Sequence, residues 1–166
     1  MMLTSGTLVQ AAEFQVQVHL NVQRGCQMIE QRDTRRIEQA GALDFGATSR
    51  LDPLNGPLSA ELDTSRVPHL VCNPDTLYQV QVDGGQHGGV GDVRYLATTV
   101  APAQSIPYRI YQDAARHRPL SVNVPFGGRV ADSGVAALPL YARIDRLADI
   151  PHVGHYSDVL KVTLSW

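Results

Sequence analysis

Between Glu13 and Arg24 the chain reads EFQVQVHLNVQR, and apolar and polar residues alternate there without a break. Phe14, Val16, Val18, Leu20 and Val22 fill one set of places, and Gln15, Gln17, His19, Asn21 and Gln23 fill the other. Successive side chains of a strand point to opposite sides, so this order predicts a strand with five apolar groups on one face and five polar groups on the other. It is long for an edge strand of a globular domain, and it stands near the start of the chain.

The same period returns further on. LYQVQV (Leu77 to Val82) alternates and ends at Asp83-Gly84-Gly85; Arg94 to Val100 alternates more loosely around Tyr95 and Leu96. Ile106 to Tyr111 sets Tyr108 and Ile110 on one face, and Val122, Val124 and Phe126 form another step-two pattern. Ala137 to Ile144 puts Leu138, Leu140, Ala142 and Ile144 in phase, and Tyr156 to Trp166 does the same for Leu160, Val162, Leu164 and Trp166. Shorter strands are predicted at Leu43 to Gly46, Leu58 to Leu62 (as an edge) and Val67 to Cys72, with Pro53, Asn55-Gly56 and Pro57 marking a loop between the first two. The charge-rich stretch Met28 to Gln39 has little apolar face and reads as a solvated loop, a short helix being the other reading. About seven to nine short strands at this spacing predict an all-β sandwich or barrel.

A chain of 166 residues fits one domain, and there is no linker, composition break or internal repeat. A formal charge of −2 supplies no pull toward nucleic acid, so no nucleic-acid partner is expected. Charged residues make up only 18%, while 14 Gly and 10 Pro speak for many turns. The two cysteines, Cys26 and Cys72, each abut an alternating segment. In an exported protein they would be bridged, closing a loop of about 46 residues and removing roughly 4 kcal/mol of unfolded-chain entropy on the loop-closure model. A pair of buried free thiols is the alternative. Residues 1–12 end in Leu8-Val9-Gln10-Ala11-Ala12, like the tail of a secretory signal, but MMLTSGT carries no basic residue. Two readings stand, a signal-peptide remnant cleaved after Ala11 or Ala12 and a disordered N-terminus.

No constellation for catalysis assembles. Histidines 19, 69, 87, 117, 152 and 155 are scattered, and His152 with His155 lacks a third ligand or a helix to fix the geometry of a zinc site. The stretch DGGQHGGVGDVR (Asp83 to Arg94) lacks the Lys-Ser/Thr pair of a phosphate loop and the copies of a calcium-binding repeat. It reads as a flexible loop between two antiparallel strands. There is no G-x-S-x-G elbow, and Asp113 to Arg116 reads as a tight turn closed by an Asp113–Arg116 ion pair. The chain is therefore expected to be no enzyme and to bind no cofactor and no metal.

The ordered set QVHLNVQRGCQM, LDFG, LVCNPDTLYQVQVDGG, IPYRIYQDAARHRPL, PLYARI and HVGHYSDVLKVTLSW, with cysteines at these places, resembles the spore coat protein U domain family. That family includes the pilins of the archaic chaperone–usher pathway, and the likeness, which runs from about Val16 to Trp166, is strongest to major shaft pilins of pili used in biofilm formation. One departure follows Arg116, where many relatives carry an aromatic–glycine pair and this chain has His117-Arg118-Pro119-Leu120.

The resemblance implies an incomplete immunoglobulin-like β-sandwich that lacks its last strand and is completed by donor-strand exchange. A periplasmic chaperone would fill the open groove first; at the outer-membrane usher the N-terminal strand of a neighbouring copy or sister pilin would replace it. On this reading residues 13–24 are the donor, with Phe14, Val16, Val18, Leu20 and Val22 entering the groove, and residues 25–166 are the sandwich domain. The product would be an extracellular, cell-surface fibre acting in adhesion. The residues by themselves leave three alternatives open: a strand that pairs within its own domain, a secreted monomeric carbohydrate- or surface-binding module, and a small secreted hydrolase on the same scaffold.

Overall fold

The computed structural model describes residues 17–29, 41–49, 51, 56–63 and 69–166. Among them there is no helix. Ten strands form: β1 (Cys26–Ile29), β2 (Ala42–Leu43), β3 (Leu58–Asp63), β4 (His69–Cys72), β5 (Leu77–Val82), β6 (Val93–Ala97), β7 (Ser105–Tyr111), β8 (Phe126–Arg129), β9 (Tyr141–Ile144) and β10 (Val162–Ser165). The fold is all-β, an immunoglobulin-like sandwich. Its five-stranded sheet has the order β2-β3-β9-β7-β6; a three-stranded sheet, β10-β5-β8, and the β1-β4 pair complete it. Every ladder is antiparallel.

Alternation decides which side chains meet. In β5, Tyr78, Val80 and Val82 are buried while Leu77 and Gln79 are exposed. In β7, Ile106, Tyr108 and Ile110 turn inward. One core cluster gathers Val82, Ile106, Tyr108, Ile110, Leu140 and Ile144 between the three- and five-stranded sheets. A second gathers Leu70, Cys72, Tyr78, Val80, Val130 and Ala136, and Phe126 packs against both clusters. Each fully buried Val, Leu or Ile side chain contributes about 1.5–3 kcal/mol relative to exposure. Gly128, opposite Tyr78 in the β5–β8 ladder, is required by that packing: a Cβ there would lie 2.5 Å from the Tyr78 ring.

Several expectations are corrected. β3 is an edge only in part: β2 pairs with it at Leu62 and Asp63, and Leu58 to Glu61 have no outer ladder partner among the described residues. Val122 and Val124 do not join β8; the chain turns at Ser121 to Val124, where Val124 N–H donates to Ser121 O and Asn123 takes a positive φ of 59°. Leu138 and Leu140 precede β9 and pack without belonging to it, next to Pro139, which has no N–H to give to a ladder. The glycine-rich loop is no hairpin: β5 and β6 lie in different sheets, and the loop carries the chain across. Asp113 and Arg116 do form a turn, with Arg116 N–H donating to Asp113 O at 3.0 Å. The guanidinium, however, sits over the Tyr141 ring and donates to Ala142 O and Ala114 O, and the Asp113 carboxylate takes the backbone N–H groups of His117 and Arg118. Strand β1 occupies the start of the Met28 to Gln39 stretch; residues 30–40 lie outside the described ones.

Candidate functional site

Residues 17–25 take part in no strand among the described residues. Val18 and Leu20 are 89% and 88% exposed and Val22 is 70% exposed, so three of the five alternating apolar groups stand in water. Phe14 and Val16, and all of residues 1–12, lie outside the described residues.

The segment is tied down at its C-terminal end. Gly25 N–H donates to Asn73 Oδ1 at 2.9 Å, and Asn73 N–H donates back to Gly25 O at 3.1 Å. Immediately beyond, Cys26 and Cys72 are disulfide-bonded and face each other as the first pair of the β1–β4 ladder. Sequence reasoning missed Asn73, yet the signal was present: once the cysteines are joined, their neighbours Gly25 and Asn73 must also meet.

At the other end of the chain, β10 pairs only with β5 among the described residues, leaving a row of backbone N–H and C=O groups without a ladder. Directly opposite residues of an antiparallel pair share a face, so Val162 and Leu164 point to the same side as Val82 and Val80. Leu164 is only part-buried against the second core cluster, and Trp166, two residues on, is 56% exposed. Among the described residues, the inward side of β10 is thus only partly covered. Cys26 of β1 packs part-buried against the same cluster, and β1 too has one strand partner among the described residues. An apolar strip beside an unpaired strand edge is the kind of surface that can take up an extended segment, its backbone on the ladder and its alternate side chains in the gap.

Polar groups set where β10 begins. Asp158 Oδ1 accepts from the N–H groups of Gln86 and Val159, each at 2.9 Å, and Oδ2 accepts from the Tyr108 hydroxyl at 2.7 Å. Asp83 Oδ1 accepts from Lys161 N–H at 3.0 Å, and Asp83 N–H donates to Lys161 O. Gly85 is essential at this junction, since its φ is +75° and a Cβ would collide with the Asp158 carboxylate. Burial, reinforced by the bond to Asp158, pushes the Tyr108 phenol far above its ordinary pKa. Beside it, Arg94 is fully buried and donates to the carbonyls of Asp83, Val82 and Leu120. Burial lowers its pKa, nearby acidic groups opposing that shift. Arg94 was invisible to sequence reasoning, because an arginine in an alternating strand is assigned by habit to the wet face.

Elsewhere, a cleft of about 360 Å³ is bounded by Leu62, His69, Leu138, Pro139, Leu140 and Tyr141. No cluster of three or more His, Cys, Asp or Glu groups that could hold a metal occurs among the described residues. The structure does not bring His152 and His155 into a polar site: His152 is held through its backbone, its N–H donating to Gln104 Oε1. Among the described residues no helix is long and apolar enough to cross a membrane.

Compared with known proteins, residues 12–163 match the family described as Spore Coat Protein U domain. No curated protein matches the chain.

Proposed function

The chain belongs to the Spore Coat Protein U domain family, and from that premise we propose that it is a structural subunit of an archaic chaperone–usher pilus, polymerising by N-terminal donor-strand exchange. Residues 13–24 of one copy add to β10 of the next, and Phe14, Val16, Val18, Leu20 and Val22 fill the strip over the second core cluster. A periplasmic chaperone covers that strip before assembly, and an outer-membrane usher is where the exchange takes place. The fibre stands on the cell surface and serves attachment and biofilm formation. The subunit is no enzyme and carries no cofactor.

The observation that carries this reading is a matched pair of incompletions. Among the described residues, the alternating segment pairs with no strand of its own domain, and an edge strand has an inward face left part-open. Five apolar side chains at about 1.5–3 kcal/mol each supply on the order of 10 kcal/mol before ladder hydrogen bonds, part of which offsets the cost of ordering the segment.

The experiment compares Val18→Asp with Gln17→Asp, each expressed with the chaperone. Val18→Asp would bury an unpaired carboxylate in an apolar site, so it should stay folded and chaperone-bound and yield no fibre. Gln17→Asp, on the other face, should assemble. Unfolding of Val18→Asp on the chaperone would assign the strand to its own sandwich, and normal assembly would rule out this face as the one that is buried.

A further inference from the structure

We infer that the Cys26–Cys72 bridge routes tension on the N-terminal segment straight into β5, bypassing β1 to β4. The inference deepens the function proposed above, on which it rests for the origin of the load; the bridge itself is a property of the single chain.

A pull on residues 17–24 acts on Gly25, at the N-terminal end of β1. That strand has four residues and pairs only with β4 among the described residues. In an antiparallel pair pulled from one end, the ladder opens one residue pair at a time, and the first pair under load here is Cys26 opposite Cys72. The disulfide lies on that pair, so peeling cannot start. The reciprocal Gly25–Asn73 hydrogen bonds sit one residue outside it and hold the direction in which the segment leaves the domain.

Beyond Cys72 the load has a short way to go. Residues 73–76 form a turn in which the Thr76 hydroxyl donates to Asn73 O at 2.7 Å, while Asp75 N–H donates to Val130 O and Val130 N–H donates to Thr76 O. Leu77 then opens β5, which is flanked on both sides, by β8 and by β10. Its inward residues Tyr78, Val80 and Val82 are all buried. The next copy's donor would sit on β10, β5's neighbour. Tension between consecutive subunits therefore crosses two hydrogen-bonded strands and one disulfide, and residues 27–71 lie off the path.

The test is single-molecule force spectroscopy on the full chain, with one handle at the N-terminus and the other inserted after the exposed His87. Oxidised protein is compared with folded protein reduced in place, since a cysteine-free variant could be lost during folding; alkylation verifies reduction. The oxidised chain should resist until β5 leaves the sandwich. The reduced chain should show an earlier, weaker first step as β1 peels from β4, and the release of β3 and β4 that follows should bring the total lengthening to about 150–165 Å, the extended reach of the 46-residue separation between the cysteines. A reduced chain that breaks in one step at the oxidised force would overturn the inference. So would any early lengthening from residues 27–71 in the oxidised chain. Because one chain is pulled, a failure to form fibres would count against the proposed function and leave this result standing.

Discussion

Val162 stands directly opposite Val82 across the β5–β10 ladder, and the two side chains share a face. Val82 is 1% exposed and Val162 is 40% exposed. Neighbours in register differ so widely only where the covering layer runs out between them, and the boundary of the closed core therefore falls between β5 and β10. Placing an acidic group at the open position should block a strand from docking there. We expect Val162→Asp to weaken binding of a synthetic peptide spanning residues 13–24 by about 3 kcal/mol, roughly 100-fold in affinity. Thr163→Asp, on the opposite face of the same strand, should change affinity far less. Titration calorimetry with both variants decides the matter, and equal losses would show that β10 accepts no side chains in the assumed sense.

Arg94 should be irreplaceable by lysine. Its three nitrogens serve three carbonyls in a site with no exposed surface. An ammonium on a flexible stem cannot reproduce that planar fork and would leave buried carbonyls unmatched. Arg94→Lys should cost on the order of 3 kcal/mol in a denaturant melt. Arg129→Lys, at an exposed pair 3.3 Å from Asp75, should cost less than about 1 kcal/mol.

How far the sequence revealed these features depended on what the alternation had to encode. The bounds Leu77 to Val82 were readable to the residue, because a strand with one buried face writes its period directly into the chain. Val122 and Val124 carried the same period, but the left-handed Asn123 turns the backbone between them, and two alternating valines cannot report that. The glycine-rich loop was recognised as a loop, yet its path from one sheet to the other depends on Asp158 and Asp83, which lie far apart in the chain. Of the candidate site, the alternation of the N-terminal segment was plain in the local pattern, yet residues 17–25 form no strand in the single chain, since the pattern cannot say which partner a strand will meet. The open side of β10 was not legible, since Leu160, Val162, Leu164 and Trp166 carry the same pattern whether or not a strand covers them.

Alkaline stability should carry the signature of Tyr108. Its phenol is raised from the ordinary 10.0 by burial first and by the bond to Asp158 second. The stabilisation is complete below pH 10, where both folded and unfolded chains keep the proton. Above pH 10 the unfolded chain releases it while the folded chain does not, so unfolding becomes easier as pH rises. Tyr108→Phe should flatten the fall in melting temperature above pH 10. A residual slope should remain from Tyr111, whose phenol burial also raises. An unchanged slope in Tyr108→Phe would mean that this hydroxyl ionises freely.

The central claim is that the N-terminal segment of one copy becomes the missing neighbour of β10 in the next. Amide hydrogen exchange, residue by residue, compares the chaperone-free single chain with the assembled fibre. In the single chain, amides of residues 17–23 and those of β10 that face away from β5 should exchange quickly, having no ladder partner among the described residues. Assembly should protect both sets together, in an alternating pattern along each segment, while amides of β5 and β7 change little. Fibres in which residues 17–23 and the outer edge of β10 still exchange as in the single chain would contradict the account.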